Sequence, residues 1–451
     1  MKRDAVIIGG GVAGLATGAL LAKQGRRVTV LERGNQPGGR AYAYEEKGFT
    51  LNYGPHAMYR PETGVLGEVL RRLGRPPLPC GYPDPLRSYW SMGERFGVVG
   101  GKPHQLMKAT LLPMASRLRL GPLFLALRSA KTEKLGEMTF RAWVEARTSD
   151  PVLRAFLLGM ATINTYTRPA GDLSAAYVLR HFQENLFAKD SAGYMHGGWG
   201  RMLGVFIDEL RAGGGELITG ARVERLETDG GGRIVAAVTQ DGRYEADAFV
   251  CTLAPQDAPS IAAAGSALAD ELGRWSGLGD VRACCIDLGF SRPVRSDDVA
   301  LVFDIDRDLY YSMHTDVAPD LAPPGGQLLH AMAYLSDEEA ADERLLAGRK
   351  DELLSGLDRF YPGWRDAVAV ERTLPNVRVA SRRQTVAQQG AARVPLRSAA
   401  APNLYFANDA RDVQNALAGI SLAAALEVAD VLAREGAAAG EDARGTLGVR
   451  V

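Results

Sequence analysis

The hydrophobic pattern of the first forty residues changes period twice. Ala5-Val6-Ile7-Ile8 is an uninterrupted apolar run, the signature of a strand buried on both faces. It stops at Gly9-Gly10-Gly11-Val12-Ala13-Gly14. Beyond that turn Leu15, Gly18, Ala19, Leu21 and Ala22 return at helical spacing, and Gly25 ends the helix before a second apolar run, Val28-Thr29-Val30-Leu31. Strand, helix and strand within so short a span make one βαβ unit. Further on, Met202, Val205, Phe206 and Leu210 predict a helix that reaches Gly213-Gly214-Gly215. Strands are then expected at 216–218, 222–226 and 234–238, separated by Asp229-Gly230-Gly231-Gly232 and Asp241-Gly242. Ala246 to Thr252 reads as a buried strand rejoining the first sheet, 402–409 as a short strand ending in the polar pair Asn408-Asp409, and Ser421 to Arg434 as a helix followed by a loose tail.

The glycine turn carries chemistry. Gly9 allows the tight turn out of the strand, Gly11 lets backbone approach a pyrophosphate, and Gly14 lets the helix pack closely on the sheet. The helix N-terminus, with Val12 and Ala13 in its first turn, then faces the anion. Glu32 closes the second strand, where a carboxylate accepts hydrogen bonds from both hydroxyls of a ribose and repels a 2′-phosphate. Downstream, Glu32-Arg33 leads to Gly38-Gly39-Arg40 and then to Gly54-Pro55-His56. Gly38 and Gly39 admit close backbone approach; Arg40 is either a fixed cation for a phosphate or the cofactor's edge, or a surface ion-pair partner.

In these residues the chain resembles the FAD-dependent amine oxidase and phytoene desaturase superfamily, nearer its phytoene dehydrogenase-like branch. The resemblance implies an α/β fold: a Rossmann-type FAD-binding domain (glutathione reductase-like, GGR subgroup) with an interleaved α+β substrate domain. The FAD domain is expected from 1–80, 192–278 and 382–451, the substrate domain from 81–191 and 279–381. Further cofactor contacts follow from the same resemblance: the backbone of Val223 on adenine, Asn408 and Asp409 at the ribityl and pyrophosphate, and amides between Leu417 and Ile420 at the flavin. Asn408 stands where the family carries glycine, and asparagine tolerates a left-handed backbone better than most residues. His56, in a turn the family places near the flavin, is the candidate acid or base, against a plain packing role. Tyr166 and Trp199 are candidates for the flavin face.

Composition narrows the class. The chain has 451 residues, 46% of them hydrophobic, with 53 basic and 53 acidic residues, so it can bury a large two-lobed core and has no basic excess for nucleic acid. Cys80, Cys251, Cys284 and Cys285 show neither metal nor disulfide spacing, and the lone histidines show no metal pairing. A reducing, cytoplasmic setting is expected, with no signal segment and no membrane span. One feature is unusual: 95–132 contains no Asp or Glu but carries Arg95, Lys102, Lys108, Arg117, Arg119, Arg128 and Lys131 among Leu, Met and Phe. It reads as a basic, apolar helix pair, either resting on an anionic membrane or belonging to an ordinary lobe with its cations in water. The single glycine fingerprint disfavours a reductase with a second, NADPH-binding domain. Three functions therefore stand. The first is desaturation, saturation or isomerisation of a lipophilic polyene or isoprenoid-like substrate, with the electron acceptor open. The others are an oxygen-using amine oxidase and a non-enzymatic prenyl-binding escort of the same fold.

Overall fold

The computed structural model describes residues 2–54, 57–100, 105, 109–186, 188–294, 299–388, 393–411, 415 and 417–447. Its first sheet is built around Arg3–Ile8. Val28–Leu31 and then Glu216–Ile218 lie on one side of it, Arg243–Cys251 on the other, and Leu404–Phe406 beyond the C-terminal half of that strand. All four pairings are parallel, which is why the strands read as unbroken apolar runs. Ile234–Val238 and Arg225–Thr228 extend the N-terminal half of Arg243–Cys251 as an antiparallel meander.

Helix Val12–Lys23 is buried along almost its whole length, wedged between this sheet and the helices Gly198–Ala212 and Ala418–Leu447. Its small residues follow from that: a Cβ on Gly18 would sit 3.0 Å from Val30 Cγ2. The opposite face of the sheet packs on Trp275, Leu272 and Phe406.

The second sheet runs Val368–Ala380, Val281–Phe290, Gln327–Leu335, Leu309–Met313, Leu301–Asp304, Ser88–Met92, Arg95–Val98. One face, with Cys284, Ile286, Tyr311 and Ala331, packs on the helix Glu343–Phe360. The other carries Ala283, Cys285, Phe303, Tyr310, Met332 and Tyr334 and meets the end of helix Pro151–Thr165 at Ile163 and Tyr166.

Three expectations change. The acid-free stretch is not a helix pair: Arg95–Val98 is a strand paired with Ser88–Met92 across the Gly93-Glu94 turn, and among its described residues only Met114–Ser129 forms an α-helix. Pro122 sits inside that helix on its exposed side, so the carbonyl it leaves unbonded looks toward water. Val223 precedes its strand, which begins at Arg225, rather than lying in it. The last helix continues past Arg434 to Leu447 in place of a loose tail, through alanines of high helix propensity.

Candidate functional site

The first-sheet turns converge on a cavity of about 490 Å³. Gly9 has φ +104, and its carbonyl lies only 1.9 Å from where a Cβ on Gly14 would stand, so Gly14 is required for helix packing and does not itself line the cavity. Gly11 precedes helix Val12–Lys23 with no side-chain cap and no acidic residue in the first turn, leaving the helix amides and their positive dipole end open to an anion. A Cβ on Gly11 would find only Gly38 O, at 3.9 Å, so this backbone is bared to the cavity rather than to protein.

Glu32, almost fully buried, uses both oxygens: Oε2 accepts from Gly10 N at 2.7 Å and Oε1 from Gly34 N at 2.7 Å. Those bonds fix the carboxylate and leave each oxygen further acceptor capacity toward the cavity. Gly38 N donates to Gly10 O at 2.8 Å, which brings Gly38, Gly39 and Arg40 against the glycine turn; Gly38 has φ +126.

Arg40 Nη1 donates to Asp409 Oδ2 at 2.7 Å and to Val379 O at 3.3 Å, and Ser381 N donates to the same Asp409 oxygen at 2.8 Å. Arg40 thus has an ion-pair partner, but inside the cavity wall rather than on the surface. Burial by itself would raise the Asp409 carboxyl; the Arg40 charge and hydrogen bond, with Ser381, outweigh it and bring it down to about 2. Asp409 Oδ1 is buried and accepts no hydrogen bond from the described residues, an acceptor awaiting a donor from the cavity. Asn408 lines the cavity without a left-handed backbone. Its side chain bridges Leu253 O at 3.2 Å and Ala410 N at 3.1 Å, fastening the turn that the sequence reading left to backbone freedom.

Of the residues singled out from the sequence, Gly9, Gly11, Val12, Ala13, Glu32, Arg33, Gly38, Gly39, Arg40, Val223, Asn408, Asp409 and Leu417 line one cavity, as does Trp199. Ile420 does not: its side chain is core, and Ala418 and Ser421 take the wall instead, because Leu417 at φ +50 swings the chain into the helix. Gly54 has φ +86 and lies outside the wall. Pro55 and His56 fall outside the described residues. Sequence reasoning missed Tyr53, Thr252, Asp257 and the run Val377, Arg378, Val379. Thr252 had a local signal, as it directly follows a strand of the first sheet; its Oγ1 donates to Ile8 O at 2.8 Å. The 377–379 run had none, being delivered by a strand of the other sheet.

Leu417 and Val379, in the wall of the cavity, also pack into a tyrosine-rich cluster of Tyr59, Tyr166, Tyr310 and Tyr334 with Phe303 and Trp90. Tyr166, held at φ 58, packs 6.0 Å from the Tyr334 ring. Tyr194 and Tyr310 share a hydrogen bond between their hydroxyls, and Tyr59 donates to Asn164 O at 3.1 Å. Burial raises all five of these phenols, so each stays neutral. The thiol of Cys285 on the same face is likewise pushed up by burial. One row of the sheet is polar: Ser312, His330, Asp287 and Arg372 stand opposite one another on four adjacent strands. Its charges are matched internally, His330 Nδ1 lying 2.7 Å from Asp287 Oδ1 while Arg372 clamps Oδ2 at 2.6 and 2.9 Å. Burial is what the Asp287 carboxyl must overcome, and His330 and Arg372 still hold it below its ordinary range. Neighbouring His314 is driven by burial down to about 3 and is neutral. Among the described residues no cluster of His, Cys, Asp and Glu could hold a metal.

A bared helix N-terminus, a buried acid at the end of the second strand and a buried unpaired acceptor around one cavity define a dinucleotide-binding protein. The chain matches the model of the flavin containing amine oxidoreductases over residues 12–432, and it belongs to that family. Its cofactor is FAD. It is 42% identical over 69 residues to all-trans-retinol 13,14-reductase of Rattus norvegicus, a match spanning 15% of this chain and only 11% of that protein's length. To phytoene dehydrogenase of Streptomyces griseus it is 26% identical over 423 residues, covering 81% of this chain and 80% of that protein. An oxidoreductase structure from Methanosarcina mazei superposes with a TM-score of 0.78 at 19% identity, over 95% of this chain and 100% of the other, and shows a shared fold.

Proposed function

We propose that this chain transfers hydrogen to or from an uncharged, lipophilic substrate, of the polyene or isoprenoid-like kind, bound where the cavity meets the tyrosine-rich cluster. The neutrality of that cluster carries the reading: its phenols and thiol are protonated, the Asp287 carboxylate beside it is matched by Arg372 and His330, and its remaining side chains are aromatic or aliphatic. A permanently charged substrate would lose its hydration there and gain no opposite charge. Bound FAD supplies a hydride acceptor or donor at N5.

The cavity residues fit that group. The Gly11–Ala13 amides suit the pyrophosphate, Glu32 the ribose, the backbone at Val223 the adenine, and Asp409 Oδ1 a hydroxyl of the ribityl chain. The remaining task of the protein is to exclude water and hold a C–H bond against the flavin, beside Leu417 and Val379. The similarity to enzymes named for phytoene and retinol supports this substrate class.

Purified protein should be yellow and release FAD on denaturation. Long polyenes should bleach or perturb the flavin under anaerobic conditions while primary amines leave it unchanged. Bleaching by amines alone would favour the amine oxidase reading, in which the tyrosines bind a cation through their ring faces. A colourless protein that FAD cannot reconstitute would overturn both.

A further inference from the structure

Helix Met114–Ser129 has apolar residues on both faces. Leu120, Leu123 and Leu127 point inward to a core with Phe140, Trp143 and Phe156. Met114, Leu118 and Leu125 are 57%, 68% and 68% exposed and, with Gly121 and Pro122, form one outward stripe at helical spacing. On a protein surface, apolar side chains scattered singly are ordinary, whereas a continuous ridge needs a partner. Charge identifies it. Arg119 lies along one flank of the ridge and Arg117 and Arg128 along the other, and no acidic residue occurs from 95 to 132. Asp150, which touches the helix, is itself buried and engaged by Ser116 at 2.9 Å and Arg119 at 3.3 Å, so it offsets part of the Arg119 charge.

An apolar ridge between arginines matches the interface of an anionic bilayer: the leucines and methionine enter the acyl boundary while the guanidinium groups stay among the headgroup phosphates. We propose that this helix docks the protein reversibly on anionic lipid. No helix among the described residues is long and apolar enough to cross a membrane, so the contact is peripheral. Behind the ridge, the inner core shares Trp90 with the tyrosine-rich cluster: Trp90 lies 5.4 Å from Phe156 and 4.8 Å from Phe303. The core under the docked face is therefore continuous with that cluster. That link to uptake of a lipophilic substrate rests on the function proposed above; the docking itself does not.

Flotation of the intact flavoprotein with vesicles of phosphatidylcholine, with and without phosphatidylglycerol, tests it apart from any activity. Wild type should bind the anionic vesicles, bind neutral ones far less, and be released at about 1 M salt, where screening acts within about 3 Å. Changing Arg117, Arg119 and Arg128 together to Gln should weaken binding on the order of a hundredfold, at roughly fivefold per charge. Because Arg119 also holds Asp150, a second variant, Met114→Ser with Leu118→Ser and Leu125→Ser, changes exposed positions only and should abolish flotation with the melting temperature kept. Equal flotation of wild type and both variants, or no binding at low salt, overturns the proposal. So does a serine variant that only converts a dimer to a monomer, which would assign the ridge to a second copy of the chain. Flavin bleaching by detergent-dispersed polyene, read separately, reports on the proposed reaction whichever way flotation falls.

Discussion

Replacing Arg40 by Met isolates the pair that closes the cofactor cavity. In the folded protein Asp409 is depressed from 3.8 to about 2, a shift worth about 2 kcal/mol at about 1.4 kcal/mol per unit. Because the folded carboxyl is the stronger acid, that contribution is complete above the unfolded value near 3.8 and is lost as pH falls toward 2. Without Arg40, Asp409 keeps only Ser381 while its side chain stays 5% exposed. Stranding a buried carboxylate in this way costs about 3–5 kcal/mol. Burial should then raise the Asp409 carboxyl above 3.8, reversing the sign: the variant's deficit should be greatest at neutral pH and shrink as pH falls and the carboxyl is protonated. Asp409→Asn alone leaves Arg40 facing the cavity with 38% of its side chain exposed, where water still solvates it, and should cost less. The double variant removes both charges and should recover much of the Arg40→Met deficit. Urea unfolding of the four proteins at pH 7 and at about pH 5, each in one fixed excess of FAD, gives the coupling directly. A double variant that falls by the sum of the singles, or an Arg40→Met deficit that does not shrink at the lower pH, would refute the reasoning.

Two further outcomes follow from distances at the glycine turn. Glu32→Arg removes the acceptors of Gly10 N and Gly34 N, both at 2.7 Å, and charge-assisted bonds of this kind are worth about 1.5–3 kcal/mol each; FAD affinity should drop on the order of a hundredfold or more, read by flavin fluorescence titration, and an unchanged Kd in a folded variant would remove Glu32 from the site. Gly14→Ala places a Cβ 1.9 Å from Gly9 O, a backbone atom that cannot step aside, so the helix must shift; a loss of about 1–3 kcal/mol in unfolding free energy together with loss of bound flavin is expected, and a variant that melts and binds like wild type would contradict the close packing.

The sequence discloses what is local and hides what is assembled across distance. The βαβ unit is legible because its demands fall on consecutive residues: a turn needing Gly9 at φ +104, a helix start without room for a Cβ at Gly14, an acid at the end of the next strand. Strands 216–218 and 234–238 were equally plain from their turns. Arg95–Val98 was obscured because Leu- and Lys-rich residues follow it, and its pairing with Tyr89 and Trp90 outweighs helix propensity. Of the tyrosine-rich cluster only Tyr166 was singled out: Tyr59, Trp90, Tyr166, Tyr310 and Tyr334 come from five separated segments, and nothing in the spacing of isolated aromatic residues distinguishes one shared cluster from five unrelated core positions. His56, the one acid–base candidate the motif offered, lies outside the described residues, so the site is defined by its walls.

Among those walls, strand Val368–Ala380 has a role that neither sheet shows alone. In its first half Arg372 reaches across to Asp287 and donates to Asn52 O, while Asn52 Oδ1 accepts from Trp199 N at 2.8 Å; this ties the polar row of the second sheet to the strand Phe49–Asn52, whose next residue, Tyr53, lines the FAD cavity. At its far end Val377, Arg378 and Val379 line that cavity, Val379 O takes Arg40, and Ser381 N takes Asp409. One strand therefore contributes both to the polar row of the second sheet and to the wall of the cofactor cavity, and charge-assisted hydrogen bonds hold it at each place.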